Sequence, residues 1–192
     1  MAAAVPLDRL LPRWRFWLLL ACAWHGLLSP ALAQAPGGAS ESAVKAAFLY
    51  KIAGFVDWPA GTFQRGDDPL VIAVTGNEAV AADLDQIAGG RRLEGRPVVV
   101  RRLREGEGAV GVHVLLIGAS REARVRDLAA SVPGPVLVVT EQPNGHRLGA
   151  VLNFVLDGGR VRFTVSLPAA DARGLRLSAR LLAVAQAVEG RN

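Results

Sequence analysis

The chain has 192 residues, 51% of them apolar, with a formal net charge of +5 and a single cysteine. That length supports one ordinary hydrophobic core, and the lone Cys22 excludes an internal disulfide framework and a thiolate zinc site. The positive charge is almost all arginine, with Lys45 and Lys51 the only lysines. No basic tract interleaved with aromatics points to nucleic acid.

Residues 1–33 read as an export signal. Arg9, Arg13 and Arg15 form a positive n-region, Phe16 to Leu28 is apolar apart from His25 and Gly26, and Ala31-Leu32-Ala33 is a small-residue cleavage site before Gln34. The apolar run falls short of the roughly 20 residues a membrane-spanning helix needs, so stable membrane insertion is not expected. Lipidation at Cys22 after Leu19-Leu20-Ala21 is a minor alternative. It would leave an apolar core of about six residues, below the usual roughly 7 to 15. Export predicts a periplasmic protein without a ready supply of nucleotides, which demotes kinase, NTPase and dehydrogenase readings. Loss of the leader removes Cys22 and three of the four tryptophans and lowers the net charge to +3.

Residues 34–40, rich in Gly, Pro and Ala, read as a flexible lead into a single domain over 41–192. Val44, Phe48, Ile52 and Phe55 predict a first helix, with Ser40 or Ser42 as its N-cap and Asp57-Trp58-Pro59 as its stop. Leu49 and Val56 widen its stripe so far that it must be buried in the domain or against a partner, a homodimer seam included. An apolar strand follows from Leu70 to Val74, then a helix from Glu78 to Ile87 and a strand from Pro97 to Leu103. Val112 to Ile117 predicts another strand, Ser120 to Ser131 a polar helix, and Val136 to Val139 a further strand. Continuous Val/Ile/Leu strands alternating with helices predict a three-layer α/β/α sandwich around a mostly parallel sheet. Ala150 to Leu156 and Arg160 to Ser166, joined by Asp157-Gly158-Gly159, predict a C-terminal β-hairpin. A closing helix runs to Val188 from Ala169 or Leu175, with Leu177, Leu181, Val184 and Val188 on one stripe and Gly174 as a point of division.

Catalytic and metal signals are sparse. No P-loop, HExxH or GxSxG occurs after residue 33. His113 lies in or beside an apolar strand and reads as a packed, hydrogen-bonded histidine, and His146 as an exposed loop residue. Asp67 and Asp68, and likewise Asp83 and Asp85, read as solvated charge, so neither an enzyme nor a bound cofactor or metal is expected. The arginines at 91, 92, 96, 101, 102 and 104, mixed with Glu94, Glu105 and Glu107, read as an ion-paired face. Ligands of parallel sheets sit beyond the strands' carboxyl ends. Asn77, Ser120 and Thr140 are therefore the candidate residues if the chain is a small-solute-binding protein; the simpler reading of Asn77 and Ser120 is as helix caps. Tyr50, Trp58 and Phe63 are core aromatics or a partner patch.

The segment from Ala46 to Pro59 (AAFLYKIAGFVDWP) and the run from Gly174 to Leu182 (GLRLSARLL) resemble the opening helix and closing element of the YfiR-like periplasmic proteins. Gly95-Arg96-Pro97, Leu116-Ile117-Gly118, Pro135 to Val139, and Asn153-Phe154-Val155 followed by Val161-Arg162-Phe163 fall between them in the family's order. The resemblance implies a non-catalytic periplasmic regulator that represses a membrane-anchored diguanylate cyclase by binding its periplasmic domain, lowering cyclic di-GMP and biofilm output. Other members accompany sensor kinases or receptors. For such a regulator the partner-binding surface is expected on the hairpin and last helix, at Asn153, Arg162, Arg176, Ser178 and Arg180. The sequence departs from the family in three ways: no cysteine after the leader, Leu148-Gly149 in place of Gly-Gly, and Ser166 in place of Asn.

Overall fold

Ser40 accepts a hydrogen bond from the Ala43 N–H and so opens helix α1, Glu41–Ile52. In the computed structural model, which describes residues 39–118 and 120–190, only Glu41 and Lys51 of this helix are exposed. Apolar residues all round its circumference leave it no solvent face. Its core is the domain's own: Phe48 meets Phe154 and Phe163 with ring centroids 6.2 and 5.6 Å apart. The export signal, its lipidated alternative and residues 34–38 of the lead lie outside the described residues.

The remaining elements are β1 (Val56–Asp57), β2 (Leu70–Thr75), α2 (Glu78–Ala88), β3 (Arg92–Leu93), β4 (Arg96–Arg102), β5 (Val114–Ile117) and α3 (Glu122–Ser131). They continue through β6 (Leu137–Thr140), β7 (Leu152–Asp157), β8 (Arg160–Ser166), α4 (Leu167–Ala172), β9 (Arg176–Leu177), α5 (Ala179–Val184) and β10 (Ala187–Glu189). The main sheet runs β10-β8-β7-β6-β5-β2-β4-β3. Its middle, β4-β2-β5-β6-β7, is parallel, β7–β8 is an antiparallel hairpin, and β10 lies parallel to β8. From β2 the chain steps outward to β4 and then returns past β2 to β5. The two crossover helices therefore fall on opposite faces: α1 and α2 pack over Ile72, Val74, Leu116 and Val139, and α3 over Ala73, Leu115, Ile117 and Val138. This is the three-layer α/β/α arrangement. Burying each such aliphatic side chain contributes roughly 1.5–3 kcal/mol.

Three local expectations are corrected. Helix α1 stops at Ile52, and a 3₁₀ turn, Ala53–Phe55, leads into β1. Ser120 does not cap α3: Arg121 holds the N-cap position in extended geometry with no side-chain bond. The closing helix is the short α5, because Gly174 takes a φ of +68° before it and Ala185 turns extended after it. Leu177 and Val188, which share a helical stripe by spacing, instead sit in β9 and β10. Strand β9 pairs antiparallel with β1, matching Asp57 to Arg176 and clasping the C-terminal segment to the end of α1.

Candidate functional site

Two groups of polar and aromatic side chains flank the parallel strands, one at each end. At the carboxyl ends, Asn77 caps α2 by accepting from the Val80 N–H, while its amide donates 2.8 Å to one oxygen of Glu141. The other Glu141 oxygen receives the Lys45 ammonium at 2.6 Å, and Lys45 also meets Glu41 at 2.5 Å. Burial pushes the Lys45 pKa down, but the bonds to Glu141 and Glu41 outweigh it and raise the value above the usual 10.5. Beside this pair, Thr140 donates 2.6 Å to Asn153, whose amide donates 3.0 Å to the Gln142 carbonyl. Gln142 in turn donates 3.3 Å to the Gly118 carbonyl.

These contacts occupy the place where an open α/β sheet ordinarily receives a ligand, between β2 and β5 where the strand order reverses. A Cβ on Gly118 would lie 2.6 Å from the Gly76 carbonyl oxygen, so the two loops touch there, and the open space, cavities of about 270 and 670 Å³, lies on the α3 side of that contact. A Cβ on Gly145 would collide with Thr140 Oγ1 and Asn153 Oδ1. The three residues proposed for solute binding do not converge. Thr140 is fully buried on Asn153, Asn77 is engaged by α2 and Glu141, and Ser120 alone lines a cavity of about 270 Å³ with Thr75, Gly76 and Arg124. Solute binding there would require Asn77 and Thr140 to leave their protein partners.

The arginine-rich stretch pairs with carboxylates less than its sequence suggests. Arg102 meets Glu78 and Asp85 at 2.5 Å each, but Arg92 and Arg101 donate to backbone carbonyls. One GxGxxG spacing occurs, at residues 106–111. It follows a strand but leads into β5 rather than a helix, so no helix N-terminus stands behind it to hold a phosphate. Among the described residues no group of three or more His, Cys, Asp and Glu side chains is placed to hold a metal ion.

At the amino ends of the strands, His113 stacks on Phe63 at 4.5 Å between ring centroids, and Trp58 meets both rings edge-on. The Arg96 guanidinium lies 3.9 Å from the Phe63 ring centre. It also donates to the Arg65 and Asp68 carbonyls at 2.8 and 3.2 Å. Asp68 closes the loop by accepting the Gln64 and Arg65 N–H groups at 2.8 Å each, and these bonds hold its pKa below the usual 3.8. Trp58, Phe63, Leu70, Leu93 and Arg96 wall a cavity of about 310 Å³. Tyr50 stands outside it, donating to the Arg92 carbonyl at 3.2 Å. The sequence singled out Trp58 and Phe63 but did not join Arg96 and His113 to them, because the members come from three separate stretches of chain.

The residues assigned to a partner lie in different settings. Asn153 is 6% exposed and committed to the Thr140 network. Ser178 caps α5 by accepting from the Leu181 N–H. Arg162, Arg176 and Arg180 are exposed. Arg162 alternates with the buried Val161 and Phe163 and so faces away from the α1 side of the sheet, whereas Arg176 sits in the β1–β9 clasp. Ser166, the departure from Asn, accepts from the Ala169 N–H as the N-cap of α4, a role Asn fills equally well. His146 is not a free loop residue: its ring contacts the Ala150 carbonyl at 3.0 Å and the Thr164 hydroxyl at 2.8 Å.

No helix among the described residues is long and apolar enough to cross a membrane. A search of curated proteins returns no match. Comparison with protein-family models matches residues 42–186, from the second residue of α1 to the loop before β10, to the family described as YfiR/HmsC-like. With that match covering most of its length, the chain belongs to the YfiR/HmsC-like family.

Proposed function

We propose that this chain is an exported, non-catalytic regulator that represses a membrane-anchored diguanylate cyclase, or a related sensor enzyme, by binding its periplasmic domain. The observation that carries the reading is the family match across 42–186, because the family is a regulatory one in cyclic di-GMP signalling. The polar network at the strands' carboxyl ends lends it support on the α1 side only, where Lys45, Asn77 and Glu141 are committed to one another; on the α3 side a cavity of about 670 Å³ stays open against Thr75, Arg104, Glu105 and Arg124. A domain outside the membrane acts on a cytoplasmic catalytic centre by favouring one conformation of the protein that spans between them. The exposed arginines at 162, 176 and 180 form no ion pair among the described residues and so offer free charge to a partner; Asn153 and Ser178 would shape the surface from beneath.

The test is the cyclic di-GMP level in the native host after deletion of the gene, then after restoration with or without residues 1–33. A rise on deletion that only the leader-bearing form reverses supports a repressor acting outside the cytoplasm. An unchanged level on deletion rejects the cyclase as the controlled enzyme. Reversal by both forms rejects the requirement for export.

A further inference from the structure

The two histidines among the described residues are wired in opposite ways. His113 precedes β5 and ties itself twice to β2: its N–H donates to the Val71 carbonyl at 2.9 Å, and its ring Nδ1 lies 3.1 Å from the Val71 N–H. A backbone N–H only donates, so Nδ1 must offer a lone pair and cannot carry a proton. The same ring stacks on Phe63, the residue that seats the loop over residues 59–69. His146 has its Nδ1 against the Ala150 carbonyl, which only accepts, and its Nε2 against the Thr164 hydroxyl, which donates or turns to accept. Adding a proton to His146 breaks nothing, whereas adding one to His113 sets N–H against N–H.

We propose that His113 is a proton-operated latch, whose protonation frees loop 59–69 and opens the aromatic wall formed by Trp58 and Phe63. Protonation at Nδ1 removes the bond to Val71, and the ring must turn, which unstacks Phe63. The charged groups facing the ring are Arg96, from β4, and Asp68, from the loop itself. Of the neighbouring strands, β2 meets the ring with the Val71 N–H and β6 meets the His113 backbone carbonyl with the Leu137 N–H, and neither group titrates. Burial and then Arg96 push the His113 pKa below the usual 6.5, against the opposing pull of Asp68 and the Thr62 carbonyl. The ring is therefore neutral at neutral pH and the latch is closed. Because the folded value is depressed, its contribution is present above about pH 6.5 and is lost as pH falls through the folded value.

The test is hydrogen–deuterium exchange of the whole chain at about pH 7.5 and at a lower pH, above 3.8, at which histidine NMR shows His113 charged, corrected for the intrinsic chemistry of exchange. Asp68, held below 3.8, stays charged at both. The expected result is exchange at least about tenfold faster in peptides covering 59–71 at the lower pH, with α3 unchanged. His113→Asn keeps an acceptor for the Val71 N–H but does not titrate, so it abolishes the response, whereas His146→Gln retains it. Equal protection at both pH values, or the same response in His113→Asn, overturns the latch. Should His113→Asn not fold, histidine NMR of the unaltered chain decides: charging of His113 and loop opening must share a midpoint. Opening while His113 remains neutral overturns the proposal.

Discussion

At the carboxyl ends of β2, β5 and β6 the polar side chains on the α1 side are spent on one another while a cavity of about 670 Å³ stays open on the α3 side, whereas at the amino ends of the same strands an aromatic cluster borders a smaller cavity. Glu141 puts a carboxylate of the protein itself beside the N-terminus of α2, where a ligand's negative charge would otherwise be stabilised by the helix. Lys45 balances that charge from α1. At the other end no comparable network forms. Arg96, His113 and Asp68 secure a loop rather than fill a hole, and about 310 Å³ remains between Trp58, Phe63, Leu93 and the start of β4. A fold's habitual ligand position is thus only an opportunity, and the residues lining it decide whether it is kept or filled.

The largest effect expected on this comparison comes from Lys45. Lys45→Met leaves Glu141 nearly buried without its cation and should cost about 3–5 kcal/mol in a urea melt. Lys45→Met with Glu141→Leu, which removes both charges, should recover most of that loss. A single-variant cost near zero would mean that the carboxyl end is not sealed by this pair. The amino end should respond less. Phe63→Leu keeps the apolar bulk but loses the stack on His113 and the contact with Arg96, a cost of about 1 kcal/mol in the same melt. A loss as large as that at Lys45 would show that loop 59–69 supports the core rather than covering it.

The sequence made the centre of the sheet legible and both of its margins obscure. Strands β2, β5 and β6 are continuous apolar runs, and Ser40 and Asn77 cap their helices through purely local bonds, so short windows of sequence contain the whole cause. Strands β1, β3 and β9 have two residues each and β10 has three, too few to show any periodicity; they exist because partners distant in sequence are brought alongside. The stripe of Leu177, Leu181, Val184 and Val188 misleads because one core can be reached from a helix or from an edge strand at the same spacing. The site is obscure for the same reason. Lys45 and Asn77 lie 96 and 64 residues from Glu141, and no local pattern ties them together. Asn153, named for the partner surface, is instead buried, because the Gly145 turn covers the face of the strand that points away from the α1 core.

The subtlest expectation is that the two ends weaken at opposite extremes of pH. Asp68 has a depressed pKa because it accepts the Arg65 and Gln64 N–H groups. The bonds it holds are complete above its ordinary value of 3.8 and are lost as pH falls through the lower, folded value. Lys45 has a raised pKa, so its contribution is complete below 10.5 and is lost as pH rises through the higher, folded value. Acid should therefore loosen the amino end, and alkali should release α1 from the sheet while loop 59–69 stays closed. Asp68→Asn, whose side-chain oxygen still accepts both N–H groups, should flatten the part of the acid limb of a stability–pH curve that lies below 3.8, leaving unchanged the share His113 carries and the alkaline limb. Lys45→Met with Glu141→Leu should flatten the alkaline limb. If Asp68→Asn flattened the alkaline limb as well, the ends would be coupled through the strands that join them rather than independent.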